Sequence, residues 1–178
     1  MILGLDVSTS ITGATVVDKD GAVVYTTAWD TRNKRHFPTL MAKALWVEGR
    51  LIDIGKKYKI EEVYIEQSLQ SFRSGFSSAK TLSTLSRYNG IISWICFQVF
   101  HREPDYLAAT SARKACGISI PRGMKAKQVV LKFLLDNEPT FKVEYTKQGN
   151  PKPDSYDRAD SIVIARAGYV EWMKRSSE

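Results

Sequence analysis

Two carboxylates stand where carboxylates are expensive. Asp6 interrupts the apolar run Ile2-Leu3-Gly4-Leu5-Asp6-Val7, and Glu66 ends the run Val63-Tyr64-Ile65-Glu66. A lone buried carboxylate needs a partner, a hydrogen-bond network or a cation. Both runs read as central strands, and carboxylates at the ends of neighbouring strands repel each other unless a cation lies between them. A second pair follows in Tyr156-Asp157-Arg158-Ala159-Asp160-Ser161. Three positions apart at a helix start, Asp157 and Asp160 share one face. Acids in a first turn are favourable by themselves, which would account for Asp154 and Asp157 as capping residues. Asp160 lies deeper, ahead of an apolar run, and fits that reading poorly. By helix spacing alone, Asp154 competes with Asp157.

Hard oxygen donors with no paired His or Cys select Mg²⁺ or Mn²⁺ over zinc. Two such ions about 4 Å apart can activate a water and stabilise a leaving 3′-oxygen in phosphodiester hydrolysis. Four carboxylates suffice to hold two ions. Cys96 and Cys116 form neither a disulfide framework nor a C-x-x-C knuckle and read as reduced thiols in or near the core. His36 and His101 are too few for a His-rich zinc site and read as surface residues.

The charge balance suits the same chemistry. Lys and Arg number 26 against 19 Asp and Glu, for a net charge of +7. With the four carboxylates set apart as one acidic pocket, the remainder carries 11 net positive charges. A basic surface around an acidic hole fits a polyanion that must approach bound cations. The 178 residues are expected to form a single domain, 1–178, with a real core. No apolar run has transmembrane length. The N-terminus lacks the basic start and cleavage site of a signal peptide. A soluble cytoplasmic protein is therefore expected, with no membrane partner.

The elements that must position these residues follow from pattern. Residues 2–8 read as a buried strand, and 12–18 and 22–28 as two more, joined by the turn signal Asp18-Lys19-Asp20-Gly21. A helix is expected over 38–58, with Pro38 in its first turn. Val63 to Glu66 forms a short strand, 77–100 a second helix and 105–109 a fifth strand. Thr110 or Ser111 would cap a short helix ended by Gly117. Another helix runs over about 124–136, residues 137–153 read as a loop, and a last helix runs from about Asp154 to Lys174. Apart from the short helix the order is β-β-β-α-β-α-β-α-α. That is an α/β pattern, with parallel pairing beside an opening antiparallel meander.

The chain resembles, over nearly its whole length, the RuvC family of Holliday-junction resolvases, members of the RNase H-like or retroviral-integrase superfamily. The resemblance is carried by Gly4-Leu5-Asp6-Val7-Ser8 with Thr12-Gly13, Ile65-Glu66-Gln67, Gly117 with Lys125, Lys127 and Val130, and Asp157-Arg158-Ala159-Asp160-Ser161. It implies an RNase H-like fold with a five-stranded mixed sheet flanked by helices. It also implies a homodimeric, Mg²⁺-dependent endonuclease, with two ions per site, that cuts two strands of a four-way DNA junction symmetrically and leaves 5′-phosphates.

Residue by residue, Asp6 and Glu66 match the family's first two metal ligands and Asp157 and Asp160 its C-terminal acidic pair. Lys127, spaced three before Val130, matches a basic residue near the scissile phosphate; Lys125 fits almost as well. Such a cation stabilises charge developing in the transition state. Lys114 resembles a second DNA-contacting position. In the family the segment after Glu66 enters the junction. Here it holds Phe72 and Phe76 beside Arg73 and Lys80, where an aromatic could wedge against unstacked bases. Leu69 stands where an aromatic is expected, and a few residues are inserted. The helix 77–100, with Trp94, Ile95, Cys96 and Phe97, is more continuously apolar than one buried face requires, and the resemblance implies that it pairs two protomers.

Other readings remain. A YqgF-type relative would act on RNA. A non-catalytic junction-binding protein would keep the fold but is expected to lose at least one acid, and all four are present. The opening Gly-x-Asp-x-Ser also looks like the first phosphate loop of actin-like ATPases and sugar kinases, but 178 residues leave no room for their second domain. The small size and diverged loop suit a phage or an organelle as readily as a bacterium.

Overall fold

A computed structural model describes residues 1–67 and 78–177. Five strands form one sheet: β1 (Ile2–Asp6), β2 (Ile11–Val17), β3 (Val23–Asp30), β4 (Glu62–Glu66) and β5 (Asp105–Leu107). Their order is β3-β2-β1-β4-β5. The first three pair antiparallel, and β1-β4 and β4-β5 pair parallel. Five helices pack on the sheet: α1 (Leu40–Lys57), α2 (Ala79–Phe100), α3 (Ala109–Ala115), α4 (Ala126–Asn137) and α5 (Asp154–Ser176). This is the mixed α/β sheet expected from the sequence.

Strand alternation sorts the side chains onto two faces. Leu3, Leu5, Ala14, Val16, Val63 and Ile65 join a core with α1 and α2, which contribute Val47, Leu51, Ile54, Tyr88, Ile92 and Ile95. Ile2, Val17 and Tyr64 face the other way, onto Ile162, Ile164 and Ala165 of α5 and Val130 and Leu134 of α4. Asp6 shares the parity of Ile2, and Glu66 that of Tyr64. Both carboxylates therefore belong to the face covered by α5.

That face is built for close approach. A Cβ on Gly4 would lie 2.3 Å from the Ala165 backbone, and one on Gly13 would lie 2.0 Å from the Asp157 carbonyl oxygen. Gly168 gives the ring of Tyr64 the same room. A buried hydrogen bond of 2.7 Å joins the hydroxyls of Thr15 and Ser161 and fixes α5 in register on β2. Between 155 and 168 most of α5 is buried, because the sheet lies beneath it and α3 and α4 lie beside it. Off the core, the Arg166 guanidinium donates to the buried carboxylate of Glu138.

Several boundaries differ from expectation. β1 ends at Asp6, not 8, because Ser8 closes a tight turn: its hydroxyl donates to the Ile11 carbonyl (2.7 Å) and accepts from the Ile11 amide (3.0 Å). Pro38 lies before α1, whose cap is Thr39, accepting from the Ala42 amide. β5 stops at Leu107, and α3 starts at Ala109 with Ala108 at the cap position and no side-chain cap bond. Thr110 and Ser111 are thus inside the helix, where alanine-rich flanks favour continuation over capping. Among the described residues, no helix is long and apolar enough to cross a membrane.

Candidate active site

Asp6 ends β1 and Glu66 ends β4, one step beyond the parallel pair Leu5↔Ile65. Parallel neighbours bring their C-terminal ends to the same edge, so the two carboxylates lie side by side. Asp157 and Asp160 approach from the first two turns of α5, admitted by the missing Cβ of Gly13, which is itself the register partner of Asp6. The four are close enough to act on one another's charge.

Asp6 retains some exposed surface, yet so much protein surrounds its carboxyl that burial, followed by the charges of Glu66, Asp160 and Asp157, holds its pKa well above the usual carboxylate range. Burial, then Asp160, pushes Glu66 up to about 7, against the pull of Lys127 and Arg113. Burial raises Asp157 to about 6 and also raises Asp160, while Lys127 opposes both. Four carboxylates forced together out of water attract either protons or cations.

Asp154 takes a different part. Its carboxylate pairs with Arg158 at 3.7 Å and is 41% exposed. Arg158 also donates to the Lys142 carbonyl (2.6 Å) and lies over Phe141, so this pair orients the start of α5. Between the two acids that helix spacing left open, it is Asp157 that joins the cluster.

The lysines separate as well. Lys127 on α4 places its ammonium 3.9 Å from Asp160, with 62% of its side chain exposed. Desolvation lowers its pKa, but Asp160, Asp157, Asp6 and Glu66 together raise it above the ordinary value. Lys125 is the exposed cap residue of α4. Lys114 is exposed on α3; its neighbour Arg113 is the residue whose charge acts on Glu66 and Asp160. Arg113 went unmarked in the sequence because Ala112-Arg113-Lys114-Ala115 gives no sign of which cation faces inward. Lys80 is exposed in the first turn of α2. The candidate wedge residues Phe72, Phe76 and Arg73 lie outside the described residues.

Among the described residues, no group of three or more Asp, Glu, His or Cys side chains converges closely enough to hold an ion as it stands. Magnesium is commonly held by only one or two carboxylates, with water and substrate phosphate oxygens completing the shell. An all-oxygen set of four acids, only partly offset by Lys127 and Arg113, fits such an ion in donor chemistry and in charge.

The sheet order, the parity of Asp6 and Glu66 and the crossing helix α5 define an RNase H-like fold. Comparison with solved structures narrows it to the RuvC-like form. RuvC of Thermus thermophilus in complex with Holliday junction substrate superposes with a TM-score of 0.65 at 14% identity, covering 97% of this chain and 94% of that one. A further structure of Thermus thermophilus RuvC gives 0.61 at 15% identity, over 97% and 96% of the two chains. The yeast mitochondrial Holliday junction resolvase Ydc2 gives 0.59 at 14% identity, over 99% and 80%. At such identities the likeness is one of fold. No family profile matches the sequence, and no curated protein matches it.

Proposed function

We propose that this protein is a divalent-metal-dependent endonuclease that resolves four-way DNA junctions. The observation that carries the reading is the meeting of Asp6, Glu66, Asp157 and Asp160 at one edge of a RuvC-like sheet, with Lys127 beside them. Among the structures that share this fold, yeast Ydc2 is named a mitochondrial Holliday junction resolvase, and Thermus thermophilus RuvC is seen in complex with Holliday junction substrate.

In this reading the four carboxylates hold two Mg²⁺ ions, with Mn²⁺ able to substitute. When bound, such ions activate water and stabilise the leaving 3′-oxygen. The chain's own residues do the rest. Burial of the carboxylates makes them poor holders of charge without a cation, so the site favours ions that arrive with a phosphate. Lys127, exposed at the mouth and drawn in by Asp160, presents an ammonium where negative charge develops on the scissile phosphate. The charge of Arg113 favours the ionised forms of Glu66 and Asp160. Lys114, Lys125 and Lys80 supply backbone contacts further out.

Symmetric cutting of two strands requires two sites related by a two-fold axis. A homodimer through α2 fits: Trp94 and Phe97 are 59% and 45% exposed, their rings lie 5.8 Å apart, and with Tyr106 they line a groove of about 370 Å³.

The test is cleavage of a synthetic four-way junction by wild type, Asp6→Asn and Glu66→Gln in magnesium. Wild type should cut junctions far faster than linear duplex and leave 5′-phosphates, and both variants should be inactive. Variants as fast as wild type would remove the site assignment. Equal cutting of junction and duplex would remove the substrate, and preferential cutting of RNA would favour the YqgF-type reading.

A further inference from the structure

The loop between β3 and α1 borders the carboxylate cluster and has no part in the site described above. From 31 to 47 the chain carries Arg32, Lys34, Arg35 and Lys43, with His36 between them, and no acidic residue. In a chain where bases outnumber acids only 26 to 19, seventeen residues with four cations and no acid form a distinct positive patch. Residues 32–36 are all exposed.

The patch is rigidly displayed. Thr31 donates its amide to the Ser10 carbonyl (2.8 Å), which ties the loop to the turn that follows Asp6. The Lys43 ammonium donates to the Thr9 carbonyl in the same turn. The Asn33 side chain accepts from the Arg35 amide (3.0 Å), and its carbonyl accepts from His36 and Phe37. This turn aims Lys34 and Arg35 outward. Phe37 seats the loop on α1, with its ring 5.8 Å from Trp46. Asp30 grips Arg32 through both carboxylate oxygens, at 2.6 to 3.1 Å, so the acid that ends β3 is spent on Arg32, and among the described residues Lys34 and Arg35 make no ion pair.

Its position makes it an extension of the site. Arg32 is near enough to Asp157 and Asp154 to feel their charge. An open cleft of about 580 Å³ runs beside it, lined by Asp30, Arg32, Asn33, His36 and Phe37. Lys127 and Arg113 act directly on Glu66 and Asp160, whereas this loop supplies cations at the outer border of the cluster.

We propose that the β3–α1 loop is a second nucleic-acid contact surface, in which Lys34 and Arg35 bind backbone phosphates of the strand that runs on from the carboxylate cluster. Exposed cations on a fixed turn beside an acidic pocket, with no ion pair among the described residues, complement a polyanion that continues past the reacting phosphate. The contact positions the strand; it carries no sequence information and does not touch the reacting atoms. It rests on the nucleic-acid reading above.

The test measures four-way-junction binding by fluorescence anisotropy in EDTA across a salt series, for wild type, Lys34→Ala/Arg35→Ala and the control Lys56→Ala/Lys59→Ala. The control removes the same charge at the other end of α1, a helix about 27 Å long. The loop variant should bind roughly 10-fold more weakly, with a log–log salt slope shallower by about 2. Its single-turnover cleavage should need correspondingly more protein to saturate. A loop variant that binds like wild type, or loses no more than the control, overturns the inference while leaving the nuclease reading intact. A wild type that neither binds nor cuts junctions overturns both.

Discussion

Replacing Glu66 with Gln should stabilise the metal-free protein above neutral pH while abolishing its chemistry. In the folded chain, burial and then the charge of Asp160 raise the Glu66 carboxyl from its ordinary 4.5 to about 7. At about 1.4 kcal/mol per pH unit, ionised Glu66 costs the folded state about 3 kcal/mol relative to the unfolded chain. The sign follows from proton binding. A carboxyl raised on folding keeps its proton where the unfolded chain has released it. Its favourable contribution is complete below about pH 4.5 and is lost as pH rises through about 7. Glutamine cannot ionise and escapes that loss. For a chain of this length 1 kcal/mol corresponds to about 2–4 °C, so Glu66→Gln should melt roughly 6–12 °C above wild type at pH 8 and only about 2–3 °C above it at pH 5. Thermal unfolding followed by circular dichroism in EDTA at the two pH values measures this. Adding Mg²⁺ at pH 8 should then raise the wild-type midpoint more than that of the variant, because a cation bound only to the folded site stabilises by mass action. A variant less stable than wild type at pH 8, or equally advantaged at both pH values, would refute the reasoning that these carboxylates are crowded and desolvated.

Lys127→Ala should slow single-turnover junction cleavage by roughly 100-fold while weakening junction binding far less; equal losses in both would reduce Lys127 to an ordinary phosphate contact. Gly13→Ala should cost about 1–3 kcal/mol in denaturant unfolding and should also depress cleavage, since the new methyl drives the Asp157 backbone off β2; unchanged stability would mean that α5 has slack. Trp94→Glu with Phe97→Lys should leave the fold intact, both side chains being exposed, and should convert a dimer to a monomer in sedimentation. A wild type that is already monomeric at micromolar concentration would sink the proposed pairing through α2.

Much of this architecture is written in local pattern. Apolar runs and turn residues placed all five strands and the long helices, because alternation and helical periodicity are read over a few residues. Asp6 and Glu66 were visible as acids that break apolar strands. Errors fell at boundaries, where a side chain bonds back to a nearby backbone group: Ser8 ends β1, and Thr39 rather than Pro38 begins α1. What the sequence determined was the set of acids, the strand parity that puts Asp6 and Glu66 on one face, and the glycines that make that face thin. Tertiary structure alone decided which acids and cations complete the cluster. Asp157 enters it because α5 rests on Gly13, while Asp154 is held aside by Arg158. Arg113 and Lys127 lie near enough to act on its charge, and Lys127 does so while exposed to solvent, as is Lys125, two residues before it. The physical reason is that a charge's effect depends on distance and burial in space, and sequence spacing sets neither once a helix has been laid across a sheet.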